Sequence, residues 1–481
     1  MAEKSPVRLS VEERTARGLA ARQAVPPAAH AHWTPENGRP DPVGLLESQN
    51  HTRDPDLVPL RHGRMMVSPF TFYRGAAKIM ASDLAGTPVA GLDAQLCGDA
   101  HLSNFGVYAS PERRLVFDLN DFDETLPGPF EYDVKRMAAS FTIAARHNGF
   151  TPAEGREATV VGVRAYREAM ARFAGMRTLE VWYAHLAEED LDRAVKEAVA
   201  QAPDQKLARK LEKRSRKSTR KARSRDSLQA LAKLTETVDG SYRIVSQPPV
   251  VVPSRELGDL YGASAGMEAS PGMLEEVIHR QFERYRATLQ EDRRQLLERY
   301  EVVDWARKVV GVGSVGTRAF IVLLRGRDDL DPLFLQVKEA TRSVLEDHLP
   351  PSRYPVAGAR VVHGQRLMQA ASDIFLGWTT GEDAGRFYYW RQLRDMKGST
   401  DVERMPPPAL EFYAGVCGWT LARAHARSGD PAAIAAYLGE DDAFEEAVAD
   451  FSGRYADQNE QDYAAFVEAV RSGRLDATEG V

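Results

Sequence analysis

Cysteine is nearly missing: Cys97 and Cys417 are the two in 481 residues. Two thiols cannot build a disulfide framework, and so few in so long a chain fit a reducing compartment. Both read as small buried hydrophobes. No apolar run reaches the ~20 residues that a membrane span needs. The opening stretch MAEKSPVRLSVEERTARG also lacks the apolar core of a secretory signal. These absences predict a cytoplasmic protein with no membrane partner. An excess of positive charge is missing too. Lys and Arg number 63 against 69 Asp and Glu, a net −6, which argues against a general nucleic-acid coat. No fixed-period repeat is visible. What is present is ordinary globular composition, 43% hydrophobic and 27% charged, in a chain long enough for two or three packed units.

Along the chain, residues 1–60 are rich in Pro, His and charge with little periodicity, and predict an extended arm. SPFTFYRGAAKIMASDLAG, from Ser68, predicts a helix with Phe72, Ala76, Ile79, Met80 and Leu84 at roughly helical spacing. The block AQLCGDAHLSNFGVYASPERRLVFDLNDFDET reads as loop, short strand, turn, strand and loop. EYDVKRMAASFTIAARHNG is a helix stopped by Gly149, and residues 152–200 read as helical. Residues 206–225 carry eleven Lys or Arg and one acid. They form a solvated helical surface or a docking strip for an acidic or phosphate-bearing partner, and without aromatics they offer no base stacking. After the strand-like YRIVSQPPVVVP comes a long helix from about Met273 to Arg299. Residues 305–339 read as strand, glycine loop, strand, polar turn and strand. ARVVHGQRLMQAAS is helical, DIFLGWTT and RFYYWRQLRDM are strands, and the chain from Pro408 is helical.

The chemistry gathers first at Gly98-Asp99-x-His101-x-x-Asn104. Phosphoryl transfer needs a carboxylate beside the incoming hydroxyl and oxygen ligands for magnesium on the phosphates. An Asp followed five residues later by Asn on a tight loop supplies both kinds of group. A turn and a strand then lead to Asp121 in NDFDET, where a second metal ligand belongs. Twelve residues on, Asp133 opens a helix from which a carboxylate can hold the catalytic loop by its backbone N–H groups. The plainer alternative is an acidic turn with helix caps. Arg74 in FYRGAAK is a candidate phosphate or substrate contact, or a salt-bridged structural residue. Far downstream, Gly311, Gly313 and Gly316 form a G-x-G-x-x-G around Ser314. A dinucleotide loop opens a helix, whereas TRAFIVLLRG is β-branched and apolar, so a hairpin with its tip over phosphates is expected. Lys338, ending LFLQVK, then stands where a lysine contacts phosphates, and Gln336 shares its face.

LCGDAHLSNFG, FDLNDFDET and EYDVKR together resemble the catalytic and metal loops of aminoglycoside and choline phosphotransferases, in the protein-kinase-like superfamily. SPFTFYRGAA, GDAHLSNFG, QVKEA, GQRLMQAASDIFLGW and YYWRQLRDMKGS more closely resemble an uncharacterised bacterial family, domain of unknown function 2252, over most of residues 60–470. The kinase resemblance implies Asp99 as base, His101 as a loop-shaping residue, and Asn104 and Asp121 as magnesium ligands, with Asp118 as an alternative. Kinases keep a small residue where Gln336 stands, so adenine would be crowded there or hydrogen-bonded. The carboxylate normally paired with the lysine has no obvious counterpart. Glu346 is rather close in sequence, and the following helix offers His363, Gln365 and Gln369, of which Gln365 is the provisional second choice. AHARSGD, a rival catalytic loop in ordinary order, has no metal-binding Asn or second Asp after it.

The resemblance therefore implies an α+β, bilobal, kinase-like fold in permuted order, with the catalytic loop before the glycine loop and a mostly helical large lobe. Its expected parts are an arm (1–60), a large-lobe part with a basic helical insertion at about 203–230 (61–300), a β-rich nucleotide lobe (301–395) and helical C-terminal residues (396–481). The expected activity is transfer of a phosphoryl group from ATP or GTP, with Mg2+ or Mn2+, to a hydroxyl acceptor, most simply a small molecule. Alternatives are nucleotidyl transfer, a non-catalytic nucleotide-binding regulator, and a nucleic-acid-associated protein acting through residues 206–225.

Overall fold

The computed structural model describes residues 9–478 apart from 36–37, 239, 258–270, 310, 383–384 and 394. Helices dominate, joined by several antiparallel sheets. The largest core is built by Phe130–His147, Pro152–Ala174, Pro407–Ala426 and Ala443–Arg471. Phe130–His147 is buried over most of its length although it carries Glu131, Asp133, Lys135 and Arg136. Charges so deep are costly unless partnered. Glu131 accepts from Ala90 N (2.6 Å), and Asp133 and Arg136 reach the loop after Leu96; Lys135 makes no hydrogen bond and lies 5.1 Å from the Phe451 ring centre. Among the described residues, no helix is long and apolar enough to cross a membrane.

The second body is a six-stranded antiparallel sheet in the order Gly377–Thr380, Phe387–Gln392, Pro332–Ala340, Ala319–Arg325, Glu301–Lys308, Val251–Pro253. Its three central strands follow the expected strand, glycine loop, strand, polar turn, strand. The pairing Arg307↔Phe320 closes the glycine hairpin and Leu324↔Leu333 the polar turn. Ala357–Met368 is the helix between the lysine strand and the next strand pair.

Four expectations need correction. The arm at 1–60 is not extended where it is described (its first eight residues and 36–37 lie outside the described residues). Val11–Ala24, Pro42–Asn50 and Val58–Met65 are helices, the first two capped by Ser10 and Asp41. The helix expected from Ser68 is two helices, Pro69–Gly75 and Ala77–Ala85, interrupted at Ala76. The long helix from Met273 is likewise two, Pro271–Arg286 and Glu291–Leu297. Finally, the described residues between about 230 and 300 do not join the helical body. Ile278, Phe282, Tyr285 and Leu297 pack against Val322, Leu324 and Trp390 of the sheet, and Leu231 and Ile244 cover its other face. Amphipathic helices of this kind carry no mark of which apolar surface they will cover.

The basic segment is one helix, Gln205–Arg223, whose Asp204 cap accepts from Leu207 N at 3.0 Å. Arg216 pairs with Glu212 within it, while Arg214 and Arg223 reach Asp401 and Glu188.

Candidate active site

Two antiparallel strand pairs bring the predicted residues together. Strand Phe105–Ala109 pairs with Leu115–Leu119 in the register Phe105↔Leu119, so the residues just outside the pair, Asn104 and Asn120, face each other. Asn120 N donates to Asn104 O at 2.8 Å, and Asp121 follows directly. A second pair, Asp93–Leu96 with Leu126–Pro129, clamps the outer ends of the same stretch, with Leu96 opposite Leu126. Residues 97–104 and 120–125 therefore emerge side by side from the same end of two ladders.

The first of these loops is tied down from below. Asp133 accepts from Cys97 N (2.7 Å) and Gly98 N (3.0 Å), the role expected for it, and His425 Nε2 lies 3.3 Å from the same carboxylate. Tyr413 donates to Leu102 O and Phe105 O at 2.8 and 3.1 Å. Asn104 Nδ2 donates to Asp99 O at 2.7 Å, which turns its amide oxygen the other way. Gly98 has φ +84°, and a Cβ there would lie 2.2 Å from Glu124 O, a backbone atom that cannot step aside. Gly98→Ala should therefore separate the two loops, at a cost of at least ~1–3 kcal/mol. A fall in the chemical-denaturation midpoint measures this, and a midpoint equal to wild type would contradict it.

Asp99 keeps one-fifth of its side chain exposed while Arg136 Nε donates to it at 2.8 Å. Burial pushes its carboxyl above the usual range; Arg136 opposes this, and Asp121 and Asp133 add to it. His101 is buried, its ring nitrogen Nε2 3.7 Å from Asp99, and burial pushes it well below the ordinary histidine value, so the ring is neutral.

From the sheet, Lys338 reaches across to the second loop. Its Nζ lies 2.5 Å from Asp123 and 3.7 Å from Asp121. Burial works against its charge, but Asp121 and Asp123 outweigh it and hold the ammonium above its ordinary value. Tyr389, opposite Lys338 in the neighbouring strand, donates to the other Asp123 oxygen at 2.6 Å. Burial raises the Asp123 carboxyl, yet Lys338 and Tyr389 together hold it below the usual range. Ser314 of the glycine loop is 3.4 Å from Asp123. The loop tip faces inward: Gly313 sits so close to Arg74 O that a Cβ would lie 3.0 Å from it, and Arg64 donates to Gly311 O at 2.7 Å.

Asp99, His101, Asn104, Asp121, Asp123, Gly311, Gly313, Ser314 and Arg74 thus line one cavity of about 350 Å3, and Lys338 closes its wall through the two aspartates. Asp118, Gln365, Gln336 and Gly316 do not line it. Asp118 points the opposite way, fully buried in an ion pair with Arg423 and accepting from Ala370 N at 2.8 Å, so it is no alternative ligand. Residues alternate along a strand, and a shift of three from Asp121 reverses the face. Gln365 does not pair with Lys338 either: it donates to Gln369 at 2.9 Å, and Gln369 donates to Leu119 O. Glu346 caps its own 3-10 turn and sits 3.9 Å from Arg360. Gln336 does lie beside Lys338 on the strand, but its oxygen accepts from Arg391, which also donates to Asn120 O. A separate small cavity of about 30 Å3 lies among Asn120, Arg391, Gln392 and Lys397.

Asp123, Arg136 and Arg360 were not singled out from the sequence. Asp123 stands two residues after Asp121, a spacing that keeps both on one side of an extended loop. Arg360 gives no such signal, since its partners Asp123 O, Thr125 O and Thr341 O are backbone atoms.

Among the described residues, no three His, Cys, Asp or Glu side chains form a metal cage. Magnesium does not require one, because it takes one or two carboxylates together with substrate phosphates and water. Asp121, about one-third exposed, and the Asn104 amide oxygen fit that demand, with Asp123 beside them. No curated protein and no solved structure matches the chain. A family model matches residues 53–469, and the chain belongs to that family, domain of unknown function 2252, described as uncharacterised and conserved in bacteria.

Proposed function

We propose that the protein is a magnesium-dependent phosphotransferase of kinase-like architecture, moving the γ-phosphoryl group of ATP or GTP to a hydroxyl. One observation carries the reading. A carboxylate-rich loop pair and a glycine hairpin with its lysine strand, over two hundred residues apart and in reversed order, border one cavity. The helix between the lysine strand and the next strand pair, and the helical body beneath Asp99, support the kinase likeness.

In this reading Asp99 orients the acceptor hydroxyl and takes its proton. The bond from that oxygen to the γ-phosphorus forms as the bond to the β–γ bridging oxygen breaks, and the nucleoside diphosphate leaves. Lys338 and the glycine-loop backbone hold the donor phosphates. Asp121 and Asn104 would hold Mg2+ (or Mn2+), which supplies charge neutralisation on the phosphates.

Acid sensitivity follows from Asp99. Its charged form is required, so kcat/KM falls as pH drops through its raised value. Arg136→Gln removes an opposing positive charge and should shift that acid limb to higher pH. A limb that stays in place would remove Asp99 as the titrating base. The stability contribution has the opposite sign. A folded-state value above the unfolded one stabilises below the unfolded value and is lost as pH rises through the folded one.

Gln336 favours a second reading. Its side chain, held by Arg391, occupies the face beside Lys338 where an adenine would lie, so the base is placed instead in the large cavity, with the α-phosphate nearest Asp99. The product would then be a nucleotidylated hydroxyl and pyrophosphate. Parallel reactions with α- and γ-labelled ATP separate the two, and label transfer from neither, with no magnesium-dependent nucleotide binding, would sink both.

A further inference from the structure

The cavity's walls differ in charge. Asp99, Asp121 and Asp123 stand on one side, while residues 48–78 supply Arg53, Arg74 and Lys78 on the other. Lys78 has a partner, Asp347, at 3.4 Å. Arg74 has none: among the described residues its guanidinium makes no hydrogen bond or ion pair, and its buried Nε lacks any acceptor. Arg53 is 7% exposed, donates to Val315 O alone, and also leaves Nε without an acceptor. Burial draws both below the ordinary guanidinium value, Arg53 to about 10. A partly buried guanidinium that no carboxylate contacts is costly unless a ligand anion meets it, and Arg74 is such a group on the cavity wall.

Position separates Arg74 from the donor's lysine. Lys338 is governed by Asp121 and Asp123, whereas Arg74 lies in the field of Glu403 and Asp99 and itself acts on His101, the end where the acceptor hydroxyl belongs. Arg53 stands behind the glycine loop, its side chain against Gly316, and its field reaches Asp123, Glu124 and Glu339. Ser48, Gln49 and Thr52 complete the wall with neutral polar groups. Gln49 is held there by Arg61, which donates to it at 2.8 Å and to Gly75 O at 3.0 Å.

We infer that Arg74 forms a second anion site beside the donor's, and that it takes a phosphate carried by the acceptor. This rests on the transferase reading above. A forked guanidinium matches a phosphate in charge and geometry. The acceptor is then a phosphorylated hydroxyl compound rather than a cationic one.

Inorganic phosphate is the probe, titrated calorimetrically into the full chain, first without metal and then with saturating Mg2+ and a non-hydrolysable ATP analogue. Phosphate should bind in both conditions. Arg74→Met should weaken it about tenfold or more, the worth of a charge-assisted hydrogen bond, while leaving Mg-nucleotide binding at the wild-type value, which also reports that the variant is folded. Arg74→Lys should recover part of the loss. Displacement of phosphate by the nucleotide analogue would assign the wall to the donor and overturn the inference, as would phosphate affinity indifferent to Arg74. Arg74-dependent phosphate binding with no nucleotide binding at any magnesium concentration would instead remove the transferase reading and the acceptor role with it.

Discussion

Asp99→Asn lowers transfer by about 10²–10⁴-fold, the range for loss of a positioned base, and leaves Mg-nucleotide binding near wild type. Asn is close in shape to the carboxylate, and its amide oxygen can still accept from Arg136. Arg136 also keeps its 2.8 Å bond to Tyr73 O and its stack on the Tyr73 ring, so the variant should remain folded. Asp121→Asn behaves differently. It removes charge from the residue that faces the cavity beside Asn104, so magnesium-dependent nucleotide binding should weaken together with the rate. Labelled-nucleotide transfer and calorimetric titration of the Mg-nucleotide, run on both variants, read the two effects separately. Equal turnover in wild type and Asp99→Asn would remove Asp99 from the chemistry. Unchanged magnesium dependence in Asp121→Asn would remove Asp121 from the metal.

Asp118→Ala is the most damaging substitution expected outside the cavity. Asp118 and Arg423 are both essentially without solvent exposure, and removing one leaves the other as a buried, uncompensated charge, worth about 3–5 kcal/mol. Asp118 also accepts from Leu119 N (2.9 Å) and Ala370 N (2.8 Å), joining strand Leu115–Leu119 to the segment after Ala357–Met368. Stabilities of ~5–15 kcal/mol leave little margin for such a loss. The urea midpoint should fall sharply, and Asp118→Leu combined with Arg423→Met should recover most of it, since an apolar pair needs no counter-charge. A midpoint for Asp118→Ala within error of wild type would show that the pair does not hold the strand.

Asp118 also shows why the site was only partly legible from the chain. In LVFDLNDFDE four acids fall within a few positions, and residue type does not say which are buried supports and which face a cavity. The register Phe105↔Leu119 decides it, turning Asp118 into the helical body and Asp121 toward the sheet. Asp133 could be anticipated because a carboxylate in the first turn of a helix, close in sequence, has few other backbone donors to meet. The partner of Lys338 could not be read in the same way. Kinase-like habits pointed along the following helix, but Asp123, 215 residues earlier in the chain, fills that place. The surface under residues 230–300 was equally hidden, because Phe282 and Tyr285 would suit any apolar sheet or helix.

By itself, the sequence determined the local chemistry: which stretches turn, which alternate as strands, and which short loop holds an Asp and an Asn five residues apart. Hydrogen bonding and side-chain sterics act over a few residues, so those choices are written locally. Only the tertiary structure decided which charges meet. A lysine near residue 340 and a carboxylate near residue 120 share one wall because two separately packed bodies close on each other. Packing of that kind depends on whole surfaces rather than on any one stretch of chain.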